Sequence, residues 1–203
     1  MSEKERWNAR YAGEGFLFGQ EPNAFLKRQA ELLRPGMRAL AVADGEGRNG
    51  IWLAQQGLEV VSTDVSKVAQ AKAARLAQSR GVSLDLRLAD ATDWEWPPAA
   101  FDLVVAIFIQ FANPANRERI FAGIRRTLKS GGLILLEGYR PQQIAYGTGG
   151  PPHVENLYTA QMLRDAFAGF EIICLSEYDA EVQEGSAHSG MSALIDLVAR
   201  KPG

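Results

Sequence analysis

Between Met37 and Lys201, short apolar runs alternate with longer segments whose apolar residues recur at helical spacing, the pattern of an α/β domain. Arg38 to Ala43 predicts a first strand ending in a glycine-rich turn, after which Arg48 to Gln56 predicts a helix closed by Gly57. Leu58 to Thr63 predicts a second strand. Ser66 is placed to accept from the free amides of a helix over Lys67 to Arg80, which Gly81 ends. Val82 to Leu88 predicts a third strand, and the nearly unbroken apolar run Phe101 to Phe108 a central one covered on both faces. Asn113-Pro114 opens a helix expected to reach Lys129 and to be stopped by Gly131-Gly132, before a fifth strand over Leu133 to Glu137.

Beyond that strand the pattern changes. A segment rich in Gly, Pro and Tyr, Gly138 to Leu157, leads to a helix capped at Thr159 and to two last strands, Phe170 to Tyr178 and Met191 to Ala199. The polar gap Asp179 to Gly190 has room for a loop and not for a crossover helix, so these strands are expected to pair antiparallel. The expected fold is α/β: a doubly wound, mostly parallel seven-stranded sheet with a C-terminal antiparallel hairpin. Ahead of it, two short amphipathic helices are predicted around Glu5 to Tyr11 and Asn23 to Leu33, with Gly13, Gly15 and Gly19 between them. The reading is one domain over residues 1–203, with 1–35 as a helical cap and 36–203 as the core.

Composition narrows the function. The 203 residues carry 22 Lys and Arg against 24 Asp and Glu, a net charge of -2 without the basic surplus that phosphate-backbone binding needs, so no nucleic-acid partner is expected. Cys174 is the single cysteine and only His153 and His188 accompany it, which leaves no metal-ligand spacing. The longest purely apolar run, Leu103 to Ile109, is far short of the roughly 20 residues of a bilayer span, and Met1 to Arg10 is too polar for a signal peptide. No membrane association and a cytoplasmic location are the expectations.

The chemistry concentrates at strand ends. Ala43-Asp44-Gly45-Glu46-Gly47-Arg48-Asn49-Gly50 contains G-x-G-x-x-G, whose glycines either let backbone amides approach a ligand or only allow a tight strand-to-helix turn. Asp64 ends the second strand, where an open α/β sheet places the carboxylate that accepts both hydroxyls of a nucleotide ribose; it also suits a helix cap before Ser66. Asp90 follows the third strand, and a carboxylate there can accept from an adenine amine. Three consecutive strand ends with this chemistry point to an adenosine-containing ligand.

The chain resembles the class I S-adenosylmethionine-dependent methyltransferases over nearly its whole length. The resemblance is carried by Leu40 to Asn49, Ser62-Thr63-Asp64, Leu88-Ala89-Asp90, Phe101-Asp102-Leu103-Val104 and Lys129-Ser130-Gly131-Gly132. Gly45-Glu46-Gly47-Arg48-Asn49 looks like the turn of the tellurite-resistance-type (TehB-like) small bacterial members, as do Tyr146 to Pro151 and Gly185-Ser186-Ala187-His188. The resemblance implies S-adenosyl-L-methionine as cofactor and S-adenosyl-L-homocysteine as product. It also implies that Ala43 to Gly47, with Asp44, Gly45 and Gly47 among them, wraps the methionine part, and that Asn49 and Val65 belong to the cofactor site. Asp64 would then bind the ribose, Asp90 and Ala91 would meet the adenine, and Ala106 and Ile107 would lie beside the sulfonium. The family pattern often has an acid two places before the first glycine, where this chain offers Ala41 and Ala43. Asp44 is expected either to supply that charge or to face solvent.

A sulfonium donor already carries a cationic leaving group, so in-line displacement asks the protein mainly for alignment and desolvation. A small-molecule acceptor fits a chain with no added substrate domain. Should a base be needed, His188 is the histidine candidate, with a surface-loop histidine as the bland alternative; Tyr146 is a second candidate, and His153 reads as structural. Tyr11, Phe16, Phe18, Tyr139 and Tyr146 either wall an acceptor pocket or pack down their loops. Gly13 to Gly19 is expected to close as a lid that orders with ligand, and a side chain at Gly47 is expected to fill space the ligand needs. The alternatives are an NAD-dependent oxidoreductase, which the same glycines and Asp64 would serve, and a binding module without catalysis.

Overall fold

The computed structural model describes residues 2–203. Its sheet has seven strands: β1 (Arg38–Ala41), β2 (Glu59–Asp64), β3 (Asp85–Leu88), β4 (Phe101–Ile107), β5 (Leu128–Tyr139), β6 (Glu171–Glu184) and β7 (His188–Arg200). Their order is β3-β2-β1-β4-β5-β7-β6. β1 with β2, β2 with β3, and β4 with β5 run parallel, whereas β7 runs antiparallel to β5. The α-helices are α1 (Glu3–Arg10), α2 (Ala24–Arg28), α3 (Arg48–Gln55), α4 (Lys67–Ser79), α5 (Pro114–Thr127), α6 (Gln143–Tyr146) and α7 (Ala160–Ala166). The chain divides into two compact units, one reaching to Trp94 and including Glu184–Ala187, the other made of Glu95–Gln183 and His188–Gly203.

In the first unit, β1 and β2 are buried on both faces, as expected of parallel strands under helices. The predicted caps form. The Ser66 hydroxyl accepts from Ala69 N at 3.1 Å at the head of α4, and Asn23 Oδ1 accepts from Leu26 N at 2.9 Å at the head of α2. Ile51 of α3 and Leu76 and Ala77 of α4 make a buried cluster against which Phe16 packs. The third strand begins later than Val82, because Val82 N closes the end of α4 on the carbonyl of Ala77.

In the second unit, β4 is almost wholly buried, and Asn113 caps α5 through Asn116 N at 3.0 Å with Pro114 at the first position. Three boundaries differ from expectation. α5 ends at Thr127, two residues short of Lys129, and Gly131-Gly132 does not stop it but lies inside β5. There Phe101 pairs with Leu128 and Leu103 with Leu133, so β5 carries extra residues in a bulge that Gly131, at φ 75, lets turn. The Lys201 ammonium donates to the carbonyls of Arg125 and Leu128 at 2.7 Å each, closing the helix from a distant part of the chain. Lastly, Asp179 to Gly190 is strand apart from the three residues Gly185–Ala187, which is too short a link for anything but an antiparallel pair. Its polar residues alternate along a strand whose outward positions face water, which is why they read as a loop.

Candidate active site

In the first unit the turn after β1 is built from left-handed residues: Ala43 at φ 49, Gly45 at φ 59 and Gly47 at φ 86, the last serving as N-cap of α3. Asp44 N donates to the carbonyl of Thr63 at 2.9 Å, and Gly47 N to that of Asp44 at 3.0 Å, which ties the turn to β2. The Asp44 carboxylate does not face solvent. It accepts from the Ser62 hydroxyl at 2.9 Å and from Gly50 N at 3.1 Å, and burial pushes its pKa up to about 7. A Cβ on Gly50 would come within 2.5 Å of that carboxylate, so this glycine serves a close approach inside the helix.

Asp64 takes the capping role that its place before Ser66 suggested. It ends β2 and is buried, with Oδ1 accepting from Ser66 N at 2.7 Å and Oδ2 from Gly45 N at 2.9 Å. Val65 adds a further backbone N–H, and burial outweighs these bonds to raise the Asp64 pKa to about 6. Asp90, by contrast, is exposed. Its Oδ1 accepts from Thr92 N at 2.9 Å and from the Thr92 hydroxyl at 2.7 Å, and Ala91 is buried beside it.

Gly47 has a packing role that the sequence did not show. A Cβ there would lie 2.7 Å from Ala73 Cβ of α4 and 3.1 Å from Ile51 Cδ1, so a side chain would meet the neighbouring helix.

The charged residues of the turn, which the sequence left without partners, point to the amino-terminal segment. Glu46 accepts from Lys72 Nζ at 2.8 Å and from Leu17 N at 2.7 Å, and the same Lys72 ammonium donates to the carbonyl of Gly15 at 2.6 Å. Arg48 pairs with Glu184 at 2.6 Å, and Glu184 also accepts from Asn23 Nδ2 and Ala24 N. Asn49 Oδ1 accepts from Asn23 N at 2.9 Å, which sets Asn49 toward this segment. A motif of alternating charge inside a glycine turn was the available signal; its partner at position 184 was not readable from spacing. Gly13 to Gly19 is thus tied to α4 and to the glycine turn through the buried Lys72–Glu46 pair. With these bonds the amides of Leu17 and Asn23 are expected to exchange slowly in ligand-free protein, whereas fast exchange at both that slows on adding ligand, measured by hydrogen–deuterium exchange, would support a lid that orders with ligand.

In the second unit, Ala106 and Ile107 end β4 and are buried. Phe108 follows at φ 53, uncommon backbone for a bulky residue, with its ring stacked on Tyr139 at 4.6 Å. His188 is neither on the surface nor in a loop. It opens β7, is 8% exposed, and meets Phe108 edge-on at 4.6 Å and Tyr139 at 5.8 Å. Tyr146 is exposed, and its hydroxyl donates to Asp179 Oδ2 at 3.1 Å, which raises the phenol pKa. His153 is exposed, 3.9 Å from Glu155. Of the aromatic residues in the loops, Phe16 packs on α3 and α4, Tyr11 and Phe18 pair in the first unit, and Tyr139 is core in the second. Among the described residues no cluster of His, Cys, Asp and Glu is arranged to hold a metal ion, and no helix is long and apolar enough to cross a membrane.

Residues 39–132, the stretch from β1 into β5, match the family model for a methyltransferase domain. The match covers just under half of the chain, 94 of its 203 residues. The chain is 35% identical over 113 residues to the demethylmenaquinone methyltransferase of Thermus thermophilus, covering 54% of this chain and 51% of that one. The chain spans about half the length of the curated relatives it matches. A solved structure described as showing the conversion of a disulfide bond into a thioacetal group during echinomycin biosynthesis has the same fold. Its TM-score is 0.82 at 19% identity, with 99% of this chain and 93% of that one covered. TehB from Haemophilus influenzae superposes with a TM-score of 0.72 at 16% identity, over 98% of this chain and 66% of TehB.

Proposed function

We propose that this chain transfers a methyl group from S-adenosylmethionine to a small-molecule acceptor. The observation that carries the reading is Asp64, a buried carboxylate at the end of β2 that shares a bond with the amide of Gly45 in the glycine turn. The residues fit an adenosyl ligand. Asp64 and the Val65 backbone are assigned to the ribose hydroxyls. Asp90 Oδ2, which takes no hydrogen bond from the described residues, is assigned with Ala91 to the adenine, and Ala43 to Gly47 to the methionine part. When bound, the cofactor supplies a methyl group on a cationic sulfur that leaves as a neutral thioether. The chain then has to orient and exclude water, and an acceptor that is already a thiolate, selenol or oxyanion needs no base.

Where a base is needed, His188 is preferred to Tyr146. The imidazole is enclosed by two aromatic rings, whereas the Tyr146 phenol donates to a carboxylate that makes it a weaker acid, the wrong direction for proton abstraction. The name of the Thermus relative gives its acceptor as demethylmenaquinone, but the shared stretch is about half of either chain. The methyl donor is what we carry over, and the acceptor is left to its class.

Calorimetry tests the reading. S-Adenosylhomocysteine is expected to bind with micromolar-range affinity and NAD not to bind, and Asp64→Ala to weaken S-adenosylhomocysteine at least about tenfold, since hydrogen bonds to a charged group are worth about 1.5–3 kcal/mol each. Saturable NAD binding without heat from S-adenosylhomocysteine would favour the oxidoreductase reading. Binding without turnover of any acceptor would favour the non-catalytic one.

A further inference from the structure

Tyr11 ends α1, and its ring is well accounted for. It is 4% exposed, stacks on Trp7 at 5.5 Å and meets Phe18 edge-on at 6.1 Å, while the Arg10 guanidinium covers the Trp7 ring at 4.7 Å. Nothing in this packing needs the hydroxyl. It makes no hydrogen bond to any described residue, although a phenol buried to this degree ordinarily finds a partner.

The hydroxyl stands over the glycine turn. A Cβ placed on Gly45 would lie 2.6 Å from it and 3.3 Å from Tyr11 Cζ, so the missing side chain of Gly45 is what admits it. The charges that act on it are Asp64, Glu46 and Asp44, opposed by Arg10, and burial together with these carboxylates pushes the phenol pKa well above its usual range. At neutral pH it is thus a neutral O–H, able to give one hydrogen bond and to accept others.

We infer that Tyr11 is a binding residue for the amino-acid end of the methyl donor, brought over the glycine turn by α1. The inference rests on the proposed donor site and deepens it. Gly45 belongs to the stretch assigned to the methionine part, and Ala41 and Ala43 leave no carboxylate at the usual place for an ammonium group. The acids nearby are engaged: Glu46 with Lys72, Asp44 with Ser62 and Gly50, Asp64 with Gly45 and Ser66. Their summed negative potential favours a cation beside the hydroxyl oxygen, while the phenolic proton remains available to the carboxylate of the same amino acid.

Tyr11→Phe keeps the ring and removes the hydroxyl. By calorimetry on the full chain, the Kd for S-adenosylhomocysteine is expected to rise at least about fivefold, and that for 5′-methylthioadenosine, which has the adenosine and lacks the amino acid, to stay within about twofold. The ligand-free unfolding midpoint is expected to stay close to that of the parent. Equal weakening of both ligands would overturn the assignment to the amino-acid end, and no change in either would leave Tyr11 as packing alone. Failure of the parent protein to bind either nucleoside would overturn the donor site itself, an outcome separate from any effect of the substitution.

Discussion

Gly47→Val is expected to destabilise the protein by about 2–5 kcal/mol, the sum of a left-handed conformation imposed on a β-branched residue and an overpacked helix contact. Gly47 sits at φ 86 as the N-cap of α3, and its absent Cβ is 2.7 Å from Ala73 Cβ, an atom fixed to the α4 backbone that no rotamer change can withdraw. Gly45→Ala makes the informative contrast. It shares the left-handed backbone, at φ 59, but its Cβ meets the far end of a tyrosine side chain. Gly45→Ala should therefore cost less stability than Gly47→Val in urea unfolding, yet still impair S-adenosylhomocysteine binding if the turn is the cradle we propose. Equal unfolding midpoints for the two variants would mean that α4 yields to a side chain at Gly47, and that the packing constraint is not there.

The comparison of these two glycines shows what a single chain reveals. G-x-G-x-x-G was legible as a turn, and Asp64 as its strand-end partner, because both follow from local spacing along β1, α3 and β2. The strands themselves were legible because buried parallel strands leave nearly unbroken apolar runs such as Phe101 to Ile107, interrupted only by Asp102. What was not legible depended on residues far apart. The end of α5 is set by Lys201, the charge of Arg48 is met by Glu184, and Gly47 is required by Ala73. His188 read as a loop residue because the turn before it, Gly185–Ala187, is shorter than its polar surroundings suggested. Glu46 and Asn49 sit within the motif, yet both are directed at the amino-terminal segment, so membership of a glycine motif does not by itself make a side chain a ligand contact.

The same burial that shapes the turn makes stability depend on pH. Asp44 is held at about 7 and Asp64 at about 6 in the folded chain, against 3.8 for an unperturbed carboxyl, and desolvation is the leading cause for both. The folded state therefore binds protons that the unfolded state has already released. The contribution of these groups is fully present below about pH 4, is lost as pH rises through the folded values, and is constant above about pH 8. For Asp44 alone the loss is about 4 kcal/mol, because a tenfold change in proton affinity between the folded and unfolded chain is worth about 1.4 kcal/mol. Ligand-free protein is expected to lose stability from pH 5 to pH 8 in urea unfolding, and Asp44→Asn, which keeps an oxygen for the Ser62 hydroxyl and Gly50 N, should flatten that slope. A cationic donor favours the ionised carboxylates, so the stabilisation it confers should be larger at pH 8 than at pH 5, with protons released on binding between pH 6 and 7. A slope unchanged in Asp44→Asn would show that the carboxyl is ionised throughout the range and solvated more than its buried position implies.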